Sequence, residues 1–208
     1  ELSLKEAQNY PADLPLMVYM DLKVVNQDLE IMTESMVKSQ SHHANTELVQ
    51  ELTENTVTGG VAMINHALAE MWQETDDILM HDWYLALLAS AFGNLVFIDQ
   101  PGELYRQHSD NVLGARTLSK RFKKWIRPHI LFAVYWDLIK NSQKQASHLL
   151  QMPLSQSNRE LIEAFVTIMD KSMLGRFRIL RKYGLRKNKA FHTLVFTTLI
   201  VTKFAYKE

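Results

Sequence analysis

The spacing of apolar residues changes from one half of the chain to the other. In the first half they fall in short dense runs. LPLMVYMDLKVVN (Leu14–Asn26) is nearly continuous and rich in β-branched residues, which predicts a buried strand. TGGVAMIN (Thr58–Asn65) predicts a turn and a short strand, and NLVFIDQPGELYRQH (Asn94–His108) two strands around a Pro-Gly turn. Helical spacing fills the intervals, at Leu2–Asn9, Glu34–Gln40, Thr46–Glu54, Asn65–Met71 and His81–Phe92. After Arg116 no strand pattern appears. Leu118–Asn141, Ser157–Leu174 and Leu174–Tyr183 carry helical spacing, with Pro128 a kink or a helix start. The pattern therefore predicts an α/β region followed by an all-helical one.

The segment His81–Phe92 is apolar on both sides: Trp83, Ala86, Leu87 and Ser90 on one, Tyr84, Leu85, Leu88 and Phe92 on the other. Such a helix belongs inside a domain, yet it opens on His81 and Asp82. A carboxylate in a first turn is favoured by the free backbone N–H groups and the helix dipole, so Asp82 reads as an N-terminal cap or as a functional anion. His81 reads as a supporting residue. Met71 and Trp72 read as packing, and His42-His43 as surface loop residues, because adjacent side chains point apart and no zinc-protease spacing accompanies them.

Composition narrows the chemistry. The 208 residues are 47% hydrophobic, enough for a substantial core, and contain no cysteine. That excludes a disulfide framework, a zinc-thiolate centre and a thiol nucleophile, and suits a reducing compartment. The chain opens at Glu1 with no signal-peptide pattern, and is expected to be a piece of a longer protein. Its zero net charge conceals a division: residues 1–115 hold 18 acidic and 4 basic residues, a net of −14, whereas 116–208 hold 19 basic and 5 acidic, a net of +14. We place the boundary between two regions there.

NTVTGGVAMIN, then LMHDWYLALLASAFGNLVFIDQP, then LYRQHSDNVLGA, in that order, closely resemble the C-terminal half of the catalytic domain of bacterial family 2 glycosyltransferases. The likeness is greatest to the rhamnosyltransferase-like members that build cell-surface polysaccharides, and it runs from about Leu14 to Ala115. It implies a partial GT-A nucleotide-diphospho-sugar transferase domain with a mostly parallel sheet. The nucleotide-binding βαβ half and its acidic metal motif would be missing upstream, and this piece alone is expected to be inactive. A divalent metal, Mg or Mn, is implied for the intact enzyme.

By the same resemblance Asp82 is the general base of an inverting hexosyltransferase, removing the acceptor hydroxyl proton. His81 and Trp83 join the substrate-binding set. Thr58, Gly59 and Gly60 would let backbone approach a sugar or phosphate, or else form a plain turn. Arg106 would neutralise the diphosphate, or pair with one of the many carboxylates. His108 would reach the metal or the leaving group. Asp21 interrupts an apolar strand, and lies beside the acceptor pocket or in a salt bridge. The implied partners are a nucleotide-diphospho-sugar donor and a saccharide or lipid-linked acceptor, at the cytoplasmic face of the cell membrane.

The basic tail supports a different class of function. Arg176, Arg178, Arg181, Lys182, Arg186, Lys187 and Lys189 precede an uncharged stretch, Ala190–Thr202. Its 13 residues fall short of the ~20 needed to cross a bilayer. The arrangement suits an anionic membrane surface or solvated helix faces, and no nucleic-acid recognition motif accompanies it. The rival to an enzyme is a non-catalytic interaction module with a basic helical arm. Convergence of Asp82, Asp21, Gly59 and His108 on one cleft would favour the enzyme, and scatter the module.

Overall fold

The computed structural model describes residues 1–72, 78–107 and 128–206, with side chains in the last stretch described from 132 onward. It is a mixed α/β protein with a helical C-terminal region, as the pattern predicts. Strand β1 (Leu16–Val25) is the axis of the sheet and is buried on both faces, which accounts for its nearly continuous apolar run. Strand β4 (Asn94–Arg106) runs parallel to it throughout, from Asn94 opposite Leu16 to Arg106 opposite Val25. Two short strands pair antiparallel with the ends of β1: β2 (Ile31–Thr33) with Val24–Val25, and β3 (Ala62–Ile64) with Met17–Tyr19. The sheet is thus mixed, and the mostly parallel sheet implied by the family likeness is not what these residues form.

A second correction concerns the Pro-Gly dipeptide. Pro101-Gly102 does not turn the chain between two strands. The register instead slips, so that Met20 faces Ile98, Asp21 faces Pro101 and Leu22 faces Glu103. Extra residues of β4 are absorbed as bulges, and Pro, which has no N–H to give a ladder, sits where the ladder is interrupted.

Short helices α1 (Leu2–Ala7), α2 (Met36–Ser41), α3 (Leu48–Glu51) and α4 (His66–Ala69) fall within the predicted segments or one residue beyond. Helix α5 (His81–Phe92) has the predicted bounds. It buries Trp83, Tyr84, Ala86, Leu87, Leu88 and Ala89, and each large side chain so buried contributes roughly 1.5–3 kcal/mol. The helix ends at Gly93, where a Cβ would stand 1.9 Å from the Pro15 carbonyl oxygen. Only glycine allows that approach, which lets the Asn94 N–H donate to the same oxygen at 2.9 Å and start β4 beside β1.

In the second region lie α6 (Pro128–Leu149), α7 (Gln156–Val166), α8 (Met173–Tyr183) and α9 (Ala190–Thr202). Of the predicted helix Leu118–Asn141, positions 118–127 lie outside the described residues, and the helix continues to Leu149 because Ser142, Gln145, Ala146 and Leu149 line a buried stripe. The predicted helix Ser157–Leu174 is broken at a 3-10 turn, Ile168–Asp170, after which the Ser172 hydroxyl accepts the Gly175 N–H and caps α8.

Both regions contribute to one core, with Tyr19, Leu52 and Leu87 from the first and Trp136, Phe165, Leu180 and Phe196 from the second. Hydrogen bonds cross between them. Ser142 donates to the Leu52 carbonyl at 2.6 Å, Asn158 to the Ala91 carbonyl at 2.8 Å, and Thr53 to the Arg186 carbonyl at 2.7 Å.

Candidate functional site

The mouth of α5 meets the turn before β3. Asp82 is half-buried; its Oδ1 accepts the Trp83 N–H at 2.8 Å and its Oδ2 accepts the Gly59 N–H at 3.2 Å. It therefore satisfies one first-turn donor and also ties the helix to Thr58-Gly59-Gly60, which enters a 3-10 turn at Gly59. Met80, not Asp82, occupies the N-cap position. A side chain on Gly59 would press on the exposed His81, with its Cβ 3.1 Å from Nε2, and one on Gly60 would stand 3.4 Å from Glu103 Oε2. Two glycines thus let a bare turn lie between His81 and Asp82 on one side and Glu103 on the other. Glu103, an exposed residue of β4 just after the bulge, is a member of this group that sequence reasoning missed.

Trp83 lies beneath the mouth, buried, its indole N–H donating to the Glu51 carbonyl at 2.7 Å. Glu51 is fully buried, and neither carboxylate oxygen meets a hydrogen-bond donor among the described residues. Burial pushes its carboxyl up to about 8, offset in part by Asn45 and the Thr56 backbone, with the negative charges of Asp82 and Glu54 adding to the rise. Near it Tyr19, likewise raised by burial, donates its hydroxyl to the Asn45 carbonyl at 2.7 Å and shares a hydrogen bond with Thr56 Oγ1 at 2.9 Å. Glu51 was legible in principle as the one charged residue in LVQEL, at a position where helical spacing calls for an apolar one.

The remaining candidates are dispersed. The carboxylate of Asp21 is buried and held by the Ser35 hydroxyl, by the Val37 N–H at 3.1 Å and by the Leu22 N–H at 2.8 Å. It fastens β1, at the point facing the β4 bulge, to the start of α2, and its partners are a hydroxyl and backbone rather than a cation. Arg106 is exposed at the far end of β4, level with Val25. His108, the tentative metal ligand, lies outside the described residues. Among the described residues no three His, Asp or Glu side chains form a group able to hold a metal ion, so they do not by themselves compose the implied cation site. His42 and His43 are exposed, and Trp72 packs edge-on against Tyr84 at 5.9 Å.

Fold and site together define a mixed α/β protein with an anionic, glycine-walled helix mouth. Comparison with known proteins takes the identification no further: no family model, no curated protein and no solved structure matches the chain.

Proposed function

We propose that the chain is the acceptor-side part of an inverting glycosyltransferase, rhamnosyltransferase-like and of GT-A type. It would transfer a hexosyl unit from a nucleotide-diphospho-sugar to a saccharide or lipid-linked acceptor in cell-surface polysaccharide synthesis, at the inner face of the membrane. The observation that carries this reading is the half-buried Asp82 carboxylate, held by the Gly59 and Trp83 N–H groups beside a turn with no side chains of its own at Gly59 and Gly60.

Asp82 takes the proton of an acceptor hydroxyl as its oxygen bonds to the anomeric carbon, and the bond to the diphosphate breaks on the opposite face. The two N–H donors fix the orientation of the carboxylate. His81, next to it and exposed, borders the same opening, and Trp83 supports its floor. A divalent metal held by the rest of the protein would stabilise the departing diphosphate.

The rival reading, a non-catalytic interaction module, is favoured by the placement of Asp21, whose carboxylate is engaged in the β1–α2 corner rather than at the mouth. Asp82→Asn in the full-length protein decides between them. It keeps the shape but cannot take the proton, so turnover should fall by ~10²–10⁴-fold, while the chain stays folded with its melting temperature lowered only by the one backbone N–H that loses its acceptor. Near-normal turnover in that variant would remove Asp82 from the chemistry.

A further inference from the structure

We propose that the outer face of the α8–α9 hairpin is an interfacial contact surface for an anionic lipid bilayer. On α8 the residues Leu174, Phe177, Arg178 and Arg181 recur at helical spacing and are exposed, with Met173 at the same end. On α9 Phe191, Leu194 and Thr198 do the same. The opposite sides of the two helices enter one core through Leu180, Phe196, Leu199 and Ile200. The exposed arcs therefore lie next to each other, facing away from it. Leu174 is 62% exposed and Leu194 64%, so this is open apolar surface on neighbouring helices rather than one stray side chain.

The hairpin itself carries charge of one sign, while Glu160 and Glu163 of α7 border it on the side of Lys182. From Lys171 to Tyr206 there are nine Lys and Arg and no Asp or Glu. Arg176 and Lys187 are turned inward: Arg176 donates to the Val201 and Lys171 carbonyls, and Lys187 to the Thr53 carbonyl. Lys182 turns toward Tyr183 and Glu160, and Lys189 donates to the Ser39 carbonyl, which leaves Arg178, Arg181 and Arg186 exposed beside the apolar arcs. An anionic bilayer offers both halves of the complement in one plane, phosphates for the cations and acyl boundary for Leu, Phe and Met. No helix among the described residues is long and apolar enough to cross a membrane, so the contact is made in the plane of the interface. The proposal specifies the membrane-face part of the proposed function and does not depend on sugar transfer.

The test is co-sedimentation of the purified protein with phosphatidylcholine vesicles and with vesicles that also contain phosphatidylglycerol, in the absence of any donor or acceptor. Pelleting is expected only with the anionic vesicles, and it should weaken as salt shortens the Debye length below about 8 Å. Arg178→Gln with Arg181→Gln should weaken binding about 25-fold, from about fivefold for each near-surface cation. Leu174→Ser with Leu194→Ser should weaken it several-fold at unchanged charge. Lys5→Gln, exposed on α1, should leave it unchanged. All four hairpin side chains are exposed, so melting temperatures should be preserved, and should the apolar pair unfold the chain, the arginine pair still decides. Negligible pelleting with either vesicle, equal pelleting with both, or wild-type binding by the arginine variant overturns the proposal, while failure of Asp82→Asn to lower turnover leaves it standing.

Discussion

The sheet region and the helical region carry opposite net charge, and each turns inward side chains of its own sign: Asp21 and Glu51 in the first, Arg176 and Lys187 in the second. Three of the four are satisfied in the same way. Asp21 takes a hydroxyl and backbone N–H groups, Arg176 takes the Lys171 and Val201 carbonyls, and Lys187 takes the Thr53 carbonyl. Backbone carbonyls and N–H groups are the direct partners of these groups, and the Glu54 carboxylate adds to the compensation of Lys187. The joint between the regions combines neutral hydrogen bonds from Ser142, Asn158 and Thr53 with charged ones, from Lys187 to the Thr53 carbonyl, from Lys189 to the Ser39 carbonyl and from the Asn188 N–H to the Glu54 carboxylate, over a shared apolar core. Of the charges behind the division of −14 against +14, Glu54, Lys187 and Lys189 enter these joining hydrogen bonds, each meeting a backbone group there.

Glu51 is the exception, because burial outweighs the help its carboxylate receives from Asn45 and the Thr56 backbone, and its charge is avoided by keeping the proton. Its pKa rises from 4.5 to about 8, so between those values the folded state holds a proton that the unfolded chain releases. Stability must then fall as pH rises across that window, by up to about 1.4 kcal/mol per pH unit. Glu51→Gln keeps the shape without the titration, and should flatten the curve between about pH 5 and 8, most visibly at its upper end. Denaturant midpoints measured at successive pH values check this. Parallel curves for the two proteins would mean that Glu51 is compensated after all and that the exception does not exist.

How legible these features are in the sequence depends on whether their causes are local. Helix α5 and strand β1 can be read directly, since burial on both sides leaves a nearly continuous apolar run whose ends are marked by His81 and Gly93 or by Pro15 and Asn26. The slip at Pro101-Gly102 cannot, because a turn and a bulge use the same residues and only the parallel partner β1 selects the bulge. The end of α6 was equally hidden: NSQKQASH reads as polar, and becomes core only when Ser142 reaches the Leu52 carbonyl. At the site, Asp82 and Gly59 were each nameable, and the hydrogen bond that joins them across 23 residues of chain was not. Glu103 was missed for the same reason, since nothing near it in sequence announces Gly60.

A smaller effect tests the helical side of the comparison. Arg176 makes three hydrogen bonds, Nη1 to Lys171 O at 2.6 Å, and Nη2 and Nε to Val201 O at 2.7 and 3.1 Å, so it stitches the start of α8 to the end of α9. Arg176→Met keeps the aliphatic bulk and abandons the carbonyls, which should cost about 2–3 kcal/mol, the scale of a buried polar group left unsatisfied. Urea unfolding measures it. A loss independent of salt would agree with compensation by backbone dipoles, and a loss that disappears in high salt would point to a screened charge partner instead.

The smallest effect belongs to a pair of the conventional kind. Lys38 on α2 meets both oxygens of Asp99 on β4, at 3.0 and 2.9 Å, with the two side chains 61% and 60% exposed. Water competes for both groups and salt screens them, so Lys38→Met should cost only ~0.2–1 kcal/mol at low ionic strength. In ~1 M salt, where the Debye length is ~3 Å, wild type and variant should become indistinguishable. The hydrogen bonds described above as joining the two regions include no exposed ion pair of this sort among the described residues, so the same salt titration should leave unfolding a single transition. If high salt instead splits the wild-type transition in two, opposite charge does hold the regions together and the contrast drawn between surface and joint fails.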